Sequence, residues 1–468
     1  MIQFGTGGWR AIIADGFTKA NVQLLAQALA DTMNAEQANE LALGYDRRFL
    51  SREAAMWAAE VLAANGIRVH FINKDAPTPL VMYVVKKRGL PYGMAVTASH
   101  NPAVYNGIKL FIKGGRDADE NITQAMESRL ATMASSQVKV MTFEAALANG
   151  QVMVIKPQNE YLDSIIDMID IDAIRKKNLH VALDPMFGVS RTSLQTLLMT
   201  ARCDVDTINE RRDTLFGGRL PSPNAHTLND LTNFVKENGC DIGIATDGDA
   251  DRLGIIDDCG AFVHPNQILV LLYHYLLKYK GWRGAAVRNI ATTHLLDRIA
   301  AAYGQTCHEV PVGFKHVSGK MAENDAIIGG ESSGGLTVRG HIQGKDGIYA
   351  AMLLVEMLAV SGRKLSAIYQ DITDEFGACY TDERDYSFTA SCKDAIYQLL
   401  MVDKKLPDFG IEIETVSYID GCKVYFSNGG WIIARFSGTE PLLRIFSEMP
   451  SQAMATSVCD TLCGALGM

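Results

Sequence analysis

Residues 41 to 73 read LALGYDRRFLSREAAMWAAEVLAANGIRVHFIN. An apolar run ends in the charged residues of LALGYDRR, and an alanine-rich amphipathic segment follows from 51 to 66. Ser51 is a candidate N-cap, Glu53 lies in the first predicted turn, and Gly66 marks the end of the predicted helix. The second apolar run, IRVHFIN, starts directly after it. The stretch therefore predicts a strand, a helix and a second strand, which is one βαβ unit.

The same alternation returns along most of the chain, and it predicts an α/β protein with largely parallel sheets. Further predicted strands lie in YGMAVTASHNP, NLHVALDPMFG, CDIGIATDGDADRLGIID and DAIIGGESSGG. Changes in pattern near 150, 256 and 372 divide the chain into predicted domains at 1–150, 151–256, 257–372 and 373–468. The last segment differs, because Asp420-Gly421 and Asn428-Gly429 are hairpin turns between β-rich runs. It predicts a smaller α+β domain.

Composition restricts the class of protein. The 468 residues are 48% hydrophobic and 21% charged, with a net charge of −9 and no basic stripe, which argues against nucleic acid as a partner. The nine cysteines are scattered, as in a reduced cytosolic protein. No signal segment opens the chain, and the apolar run at 268–277 is too short to span a membrane. We expect a soluble cytoplasmic protein with no membrane partner.

An acidic loop follows the predicted strand in CDIGIA. The segment TDGDADR, residues 246 to 252, places Asp247, Asp249 and Asp251 two positions apart. Carboxylates this close repel one another unless a cation lies among them. A set of oxygen ligands suits Mg²⁺ or Ca²⁺ rather than a soft metal.

A calcium-binding helix–loop–helix is the competing interpretation of this loop. Asp258 falls at the twelfth position of such a loop, but Arg252 stands at the sixth, where a glycine is required. The preceding segment also has the pattern of a strand. A Mg²⁺ site with an arginine beside it for a phosphate group is the better interpretation.

A serine and a histidine lie side by side in TASHNP, residues 97 to 102. Ser99 could be a nucleophile, a carrier of a phosphoryl group, or a loop serine bonded to nearby backbone. The motif alone leaves these three interpretations open.

The segment ARFSGTEPLLR, residues 434 to 444, has the composition of a phosphate-binding loop. It combines hydroxyls, closely spaced backbone N–H groups and a guanidinium, and a helix could begin at its Glu-Pro pair. The residues concerned are Arg435, Ser437, Gly438 and Thr439. A tight turn with an incidental arginine is the alternative.

Two glycine-rich segments are weaker candidates. GGESSGG, residues 329 to 335, offers the Glu331 carboxylate and the Ser333 hydroxyl to vicinal sugar hydroxyls, and its glycines allow close approach of the backbone. In FGTGGWR near the N-terminus, Arg10 could bind an anion. Each segment is equally compatible with a plain turn.

Taken in order, GTGGWR, TASHNP, DGDADR, GESSGG and RFSGTEP resemble the motifs of the α-D-phosphohexomutase superfamily. The superfamily includes phosphoglucomutases, phosphomannomutases and phosphoglucosamine mutases. These markers run from residue 4 to residue 444, so the resemblance covers essentially the whole chain. It implies four domains around a central cleft, the first three with a related α/β topology on mixed sheets and the fourth a smaller α+β domain.

The resemblance also implies a role for each motif. Ser99 matches the serine that carries the transferred phosphoryl group and completes the Mg²⁺ ligands Asp247, Asp249 and Asp251. Lys109, in NGIKLF, matches the candidate general acid/base. The residues matched to the lining of the reaction centre are Arg10, His100 and Arg252. The residues matched to substrate binding are Glu331 and Ser333 for sugar hydroxyls, Lys315, and Arg435, Ser437, Gly438 and Thr439 for the distal phosphate.

The implied reaction interconverts a hexose 1-phosphate and its 6-phosphate through a phosphoserine and a sugar bisphosphate, with glucose 1,6-bisphosphate as activator. The loop GESSGG is closer to the G-E-E-S-x-G of glucose-selective enzymes than to G-E-M-S-G-H or G-E-Q-S-G-H, although Ser332 stands where a second Glu is usual. We therefore expect glucose phosphate as the substrate and a monomer or homodimer as the assembly. The alternatives are a mannose, glucosamine or pentose mutase, a non-catalytic sugar-phosphate-binding relative, and an unrelated Mg²⁺ phosphatase.

Overall fold

Four β-sheets follow one another along the chain. The computed structural model describes residues 2–5, 7–437 and 442–468. The sheets contain eight, five, four and five strands. The first three mix parallel and antiparallel pairs, and the fourth is antiparallel throughout. The predicted fold class, with three α/β units and a fourth α+β unit, is confirmed.

The first unit packs helices against an eight-stranded sheet in the order β1-β2-β6-β5-β3-β4-β8, with β7 paired to β6. The opening stretch of the sequence forms β3, α2 and β4 of this unit, as predicted. Its elements are β1 (Phe4–Gly5), β2 (Gly8–Ile12), α1 (Lys19–Ala35), β3 (Glu40–Tyr45), α2 (Ser51–Ala64), β4 (Arg68–Ile72), α3 (Thr78–Arg88), β5 (Tyr92–Val96), β6 (Tyr105–Ile112), β7 (Arg116–Asp117), α4 (Glu120–Thr132), α5 (Phe143–Ala148) and β8 (Val152–Ile155).

The second unit has a five-stranded sheet in the order β10-β9-β11-β12-β13. The acidic loop connects β11 to β12. The elements are α6 (Gln158–Ile166), α7 (Ile171–Arg175), β9 (His180–Asp184), α8 (Ser190–Thr200), β10 (Asp204–Thr207), α9 (Asn229–Asn238), β11 (Ile242–Thr246), β12 (Leu253–Ile256) and β13 (Phe262–Val263).

The third unit has a four-stranded sheet in the order β15-β14-β16-β17. Its α13 is buried along almost its whole length between the second and third sheets. The elements are α10 (Pro265–Lys278), β14 (Ala286–Asn289), α11 (Leu295–Ala302), β15 (Cys307–Val310), α12 (Phe314–Asn324), β16 (Ile328–Gly330), β17 (Leu336–Val338), α13 (Gly347–Ser361) and α14 (Leu365–Phe376).

The fourth unit is an antiparallel sheet in the order β18-β22-β21-β20-β19, covered by α16. Both predicted hairpin turns are present, one between β19 and β20 and one between β20 and β21. The elements are β18 (Tyr380–Ser387), α15 (Ala390–Tyr397), β19 (Ile413–Ser417), β20 (Cys422–Phe426), β21 (Trp431–Phe436), β22 (Leu442–Met449) and α16 (Gln452–Leu466).

The first three sheets share one strand pattern. In each, a central strand is flanked by two parallel partners, and the second of these pairs with an antiparallel strand: β4-β3-β5-β6, β10-β9-β11-β12 and β15-β14-β16-β17. The turn into the antiparallel strand holds TASHNP in the first unit, TDGDADR in the second and ESSGG in the third. The same structural position therefore carries a candidate functional motif three times.

Sequence-based boundaries differ from the sheets at several points. The proposed boundary at 150 precedes β8, which pairs in parallel with β4 of the first sheet, and that at 256 precedes β13, which pairs with β12 of the second. The proposed boundary at 372 falls inside α14. We propose that the units divide instead near 157, 264 and 377.

Two local features of the helices also bear on the predictions. Ser51 is not the N-cap of α2, because Leu50 holds that position and the Ser51 hydroxyl donates to Asp46 Oδ1 instead, at 2.6 Å. The apolar run at 268–277 lies within α10 and is buried in the core shared by the second and third units. Throughout the described part of the chain, no helix has the length and apolar character needed to cross a membrane.

Candidate active site

One cleft of about 490 Å³ lies where the four units meet. The three motif-bearing turns and the strand β21 all reach it, which agrees with the expectation that ligands bind at the carboxyl ends of strands in α/β sheets. Predicted site residues that line the cleft are Arg10, His100, Lys109, Arg252, Glu331, Ser333, Arg435 and Ser437. The acidic triad and Ser99 lie buried at its base.

Ser99 is held in one orientation by its surroundings. Its backbone lies in the left-handed region at φ 51°, and its N–H donates to Thr97 Oγ1 at 2.9 Å. Its carbonyl oxygen accepts from Arg48 Nη2 at 2.7 Å. The hydroxyl donates to Asp247 Oδ2 at 2.6 Å. The geometry therefore aims the hydroxyl of the first unit at the acidic loop of the second.

The three carboxylates of the acidic loop form one buried group. Ligand oxygens of Asp247, Asp249 and Asp251 lie within 4.8 Å of one another, and among the described residues this is the sole His, Cys, Asp or Glu group arranged in that way. The Oδ1 atoms of Asp249 and Asp251 are buried without a hydrogen-bond partner. Burial raises the pKa of Asp247, and the two neighbouring carboxylates raise it further. A group whose candidate ligand atoms are all carboxylate oxygens, two of them without a hydrogen-bond partner, fits Mg²⁺.

Lys109 bridges two members of this triad. Its Nζ lies 2.6 Å from Asp249 Oδ2 and 2.6 Å from Asp251 Oδ2. Burial lowers the pKa of the Lys109 amine, but the carboxylates of Asp249 and Asp251 outweigh burial, so the pKa is raised above its ordinary value. Lys109 is therefore protonated here, in the form that can donate a proton to a departing oxygen.

Three further predicted residues, Arg10, Arg252 and His100, lie close to the triad and to Ser99. Arg10 Nη1 donates to Asn101 Oδ1 at 2.7 Å, and the Arg252 backbone N–H donates to Asp247 Oδ1 at 3.1 Å. His100 Nδ1 lies 3.5 Å from the Ser99 hydroxyl. Burial lowers the pKa of His100 well below its usual range, and the charges of Arg252 and Arg10 lower it further. The imidazole is neutral, so the positive charge beside Ser99 comes from the arginines and lysines.

Glu331 lines the cleft and is held by two hydrogen-bond donors. Its Oε1 accepts from Asn289 Nδ2 at 3.1 Å and from the Gly313 backbone N–H at 3.0 Å. Glu331 is buried, while Ser333 is exposed and lines the cleft. A carboxylate held by two donors keeps its remaining lone pairs directed at a ligand.

Arg435 lines the same cleft from β21. Its Nε donates to Asp420 Oδ1 at 2.8 Å, and Asp420 Oδ2 accepts from the Val312 backbone N–H at 2.8 Å. Asp420 therefore ties the arginine of the fourth unit to the third. Ser437 follows at the end of the strand, and the predicted residues Gly438 and Thr439 lie outside the described residues.

Lys315 does not reach the cleft. It lies in the first turn of α12, and its Nζ contacts Glu120 Oε2 of α4 at 3.0 Å. That pair joins the third unit to the first on the outside of the cleft, and Lys315 is absent from the described residues that line it.

The structure adds residues that the sequence did not single out. Lys345 Nζ lies 3.0 Å from Asp251 Oδ2, and the Thr78 hydroxyl donates to Asp249 Oδ2 at 2.6 Å. Asn289 positions Glu331. Lys345 and Thr78 stand in segments with no distinctive pattern, whereas Asn289 ends the central strand of the third sheet, a position that the repeated topology could have indicated.

A buried serine aimed at an acidic triad, with fixed cations around it and a cleft above it, defines a metal-dependent phosphoryl-transfer site. Comparison with known proteins agrees. Three models of the phosphoglucomutase/phosphomannomutase α/β/α domains match residues 1–137, 159–260 and 264–376, and the model of the C-terminal domain matches residues 395–465. The chain belongs to this family, within the α-D-phosphohexomutase superfamily, and is a phosphohexomutase, an isomerase that acts by intramolecular phosphotransfer.

Three relatives illustrate the similarity. A phosphoglucomutase/phosphomannomutase of Thermococcus kodakarensis is 30% identical over 97% of this chain and 95% of its own. A probable phosphoglucosamine mutase of Methanothermobacter thermautotrophicus is 30% identical over 99% of this chain and 97% of its own. The solved structure of a candidate phosphomannomutase of Thermus thermophilus superimposes with a TM-score of 0.86 at 27% identity, covering 100% of this chain and 99% of the other.

Enzymes of this superfamily use Mg²⁺. The residues that would hold the ion here are Asp247, Asp249 and Asp251, with the Ser99 side chain beside them. When bound, the ion supplies positive charge that stabilises a phosphoryl group during transfer.

Proposed function

We propose that this phosphohexomutase interconverts glucose 1-phosphate and glucose 6-phosphate, with Ser99 as the carrier of the phosphoryl group. The observation that supports this most is the hydrogen bond from the Ser99 hydroxyl to Asp247, at the base of a cleft that also contains Glu331 and Arg435. A hydroxyl at the metal site, a sugar-hydroxyl acceptor and a phosphate-binding cation are the three elements that such a reaction needs.

The residues divide the work within the cleft. Phosphoserine 99 gives its phosphoryl group to the free hydroxyl of the bound sugar phosphate, and the resulting bisphosphate then returns its other phosphoryl group to the Ser99 oxygen. Arg435 binds the phosphate that is not reacting, and Glu331 accepts hydrogen bonds from sugar hydroxyls. Lys109 is kept protonated by the charges of Asp249 and Asp251. In each transfer it donates a proton to the departing oxygen and takes up the proton that the attacking hydroxyl loses, so that it ends the step protonated again.

A single reacting serine implies that the bisphosphate turns around between the two transfers. The cleft volume of about 490 Å³ is large enough for a ligand of this size to reorient. A bisphosphate that escapes leaves Ser99 without its phosphoryl group, and glucose 1,6-bisphosphate would restore it. We therefore expect glucose 1,6-bisphosphate to act as an activator.

The choice of sugar rests on the loop GESSGG and its resemblance to glucose-selective enzymes. Glucosamine phosphate is the second candidate, because a relative at 30% identity is described as a probable phosphoglucosamine mutase. A coupled assay over the 1-phosphates of glucose, mannose, glucosamine and ribose, each with its own bisphosphate, separates them. A kcat/KM for glucose 1-phosphate at least tenfold above the others is expected, and a higher value for glucosamine 1-phosphate would replace the proposed substrate.

The phosphoserine cycle has its own test. The enzyme is stripped of phosphate, and conversion of glucose 1-phosphate is followed with and without glucose 1,6-bisphosphate. Turnover should begin only after the bisphosphate is added. Equal rates from fully dephosphorylated enzyme would rule out the cycle, whichever sugar is preferred.

A further inference from the structure

Lys423 lies buried between the third and fourth units, outside the residues assigned so far. It belongs to β20, and its side chain is fully buried. Its Nζ donates to the Ile290 carbonyl at 2.6 Å and lies 2.8 Å from Glu309 Oε2, and both partners belong to the third unit. A lysine with no access to solvent is rare and requires strong partners.

The remaining contacts of Lys423 complete its environment. Its Nζ lies over the rings of Trp431 and Tyr425, at 4.4 and 4.8 Å from their centroids. Burial and the charge of Arg288 lower the pKa of the Lys423 amine to about 7, against the opposing charge of Glu309. Its Nζ is also 3.0 Å from His294 Nε2. Burial and the charge of Arg288 lower the pKa of His294 to about 4, so the imidazole is neutral and its Nε2 can accept from the Lys423 amine.

Each of the two units contributes a carboxylate that accepts hydrogen bonds from the other unit across this interface. Glu309 of the third unit accepts from Lys423 and from the Tyr425 hydroxyl of the fourth. Glu448 of the fourth unit accepts from the His294 backbone N–H at 2.8 Å, while Trp431 Nε1 donates to it at 3.2 Å. The two units are therefore joined by directional bonds as well as by apolar contact.

The position of Lys423 in the sheet connects this interface to the cleft. Lys423 on β20 pairs with Ile433 on the neighbouring strand β21. Ile433 in turn lies two residues before Arg435 along β21. Trp431, Ile433 and Arg435 alternate along that strand and share one face. Trp431 and Ile433 pack on Ile290 and Ala291 of the third unit, and Arg435 is the next residue on that face.

The other side of the interface leads to the sugar loop. Ile290, whose carbonyl binds Lys423, directly follows Asn289, which donates to Glu331. The segment formed by Asn289 and Ile290 therefore contacts both the Lys423 amine and the Glu331 carboxylate. The distance between Arg435, proposed to bind phosphate, and Glu331, proposed to bind sugar, depends on how this segment packs against β20 and β21.

We propose that Lys423 is a positioning residue that fixes the Arg435 strand against the sugar-binding segment, so that Arg435 and Glu331 grip one substrate together. The proposal rests on the function given above, because it acts through the binding of substrate phosphate by Arg435. Stability alone is a poor explanation for the buried lysine, because buried ion pairs contribute little net stability, and in some proteins they fix one arrangement of their partners instead.

The substitution Lys423→Met keeps the approximate length of the side chain and removes the amino group, with its contacts to Ile290, His294 and Glu309. If Lys423 positions Arg435, the KM for glucose 1-phosphate should rise about tenfold while kcat stays within about threefold, because binding in ground and transition states is lost together. A purely structural role would reduce the fraction of folded enzyme, which lowers kcat and leaves KM unchanged. That second pattern would overturn the proposal.

A double-mutant cycle with Arg435→Ala tests the route of the effect. Arg435→Ala alone should lower kcat/KM by about ten- to two-hundredfold, the loss of one charge-assisted hydrogen bond. Adding Lys423→Met should then cost no more than about a further twofold, because the interaction it supports is already gone. Independent, multiplicative losses would overturn the positioning role while leaving the function of Arg435 intact. If Arg435→Ala leaves kcat/KM unchanged, both the positioning role of Lys423 and the phosphate-binding role of Arg435 are wrong.

Two further variants make the result decisive. Tyr425→Phe removes one hydrogen bond to Glu309 and keeps the ring, and it should raise KM by about three- to fivefold even if Lys423→Met does not fold. Lys405→Met is the matched control, because Lys405 is an exposed lysine of the same unit paired only loosely with Asp403 at 3.7 Å. It should leave KM and kcat unchanged. An unchanged KM in Tyr425→Phe would count against the proposal.

Discussion

The Ser99 hydroxyl donates to Asp247 Oδ2 across 2.6 Å, although 148 positions separate the two residues in the chain. The bond joins the turn after β5 in the first unit to the turn after β11 in the second. Because the two turns occupy the same position in the shared strand pattern, two sheets of the same pattern supply the two halves of the proposed phosphoryl-transfer centre. Neither unit contains that centre alone.

Replacing Ser99 by alanine should abolish turnover and leave the fold intact. Alanine keeps the backbone bonds to Thr97 and Arg48, and only the hydroxyl is lost. We expect kcat to fall by at least about a thousandfold, as when other nucleophiles are removed, with an unchanged circular dichroism spectrum. Intact mass after incubation with glucose 1,6-bisphosphate should show one added phosphoryl group on the wild type and none on the variant. A phosphorylated variant would place the carrier elsewhere.

Much of this centre could be predicted from the sequence, because its residues lie in short motifs that are continuous in the chain. TASHNP, TDGDADR and GESSGG each fill a single turn. Residue type and spacing alone indicated the acidic triad, whereas Ser99 and Glu331 were singled out by the resemblance of the ordered motifs to a known superfamily. Residues that arrive by long-range contact were not predictable in this way. Lys345 meets Asp251 from the connection between β17 and α13, and Arg48 reaches Ser99 from the turn after β3.

Lys315 shows the opposite failure. The resemblance implied a substrate contact for Lys315, whereas its ammonium contacts Glu120 of the first unit. The unit boundaries that we propose from the sheets differ from those predicted from the sequence for a related reason, because β8 and β13 join the preceding sheets through hydrogen bonds that local sequence does not encode. The orientation of a helix and the pairing of strands that are distant in sequence both depend on long-range tertiary contacts.

Removing one carboxylate should weaken the response to Mg²⁺. Asp249→Asn keeps an acceptor for Thr78 and Lys109 but leaves two carboxylates for the ion. In wild type, Mg²⁺ at a hundred times its dissociation constant should add about 2.7 kcal/mol of stability relative to EDTA, seen as a higher melting temperature. The variant should lose most of this shift and at least about a hundredfold in kcat/KM.

The control for this experiment is Asp258→Asn. Asp258 would be a ligand in a calcium-type loop, but here it accepts from Ser366 N at 3.1 Å and Ser366 Oγ at 3.2 Å at the start of α14. Its Mg²⁺ response should equal that of the wild type. An equal Mg²⁺ shift in Asp249→Asn would contradict the assigned metal site, and loss of the shift in Asp258→Asn would revive the calcium-type interpretation.

Glu331→Gln should weaken sugar recognition through charge alone. The amide oxygen can keep the bonds from Asn289 and Gly313, so the side chain should stay in place. A hydrogen bond to a charged group is worth about 1 kcal/mol more than a neutral one, so kcat/KM for glucose 1-phosphate should fall about five- to tenfold. Glu323→Gln, on the exposed side of α12, should have no effect. Wild-type kinetics in Glu331→Gln would show that the Glu331 carboxylate does not bind the sugar.

His274 should make the protein sensitive to acid. This histidine lies in α10 among the aromatic rings of Tyr303 and Phe376, and its Nε2 is buried without a hydrogen-bond partner. Burial lowers its pKa from 6.5 to about 4, with a small contribution from Lys278. The unfolded chain therefore binds a proton on His274 between pH 6.5 and pH 4, whereas the folded protein does not. Stability from this residue is present above pH 6.5 and is lost as the pH falls towards 4.

Between pH 7 and pH 5 the loss from His274 should be about 2 kcal/mol, from the separation of the two pKa values. His274→Leu removes the titrating group and fills the same apolar site, so its melting temperature should fall clearly less than that of the wild type over this interval. His226→Leu, at an exposed position, should keep the full sensitivity of the wild type. Equal acid sensitivity in His274→Leu and wild type would mean that other groups, such as the half-buried His294, account for the pH dependence. A smaller sensitivity in His274→Leu alone would assign it to the unpartnered imidazole in the core, outside the residues that line the cleft and independent of catalysis.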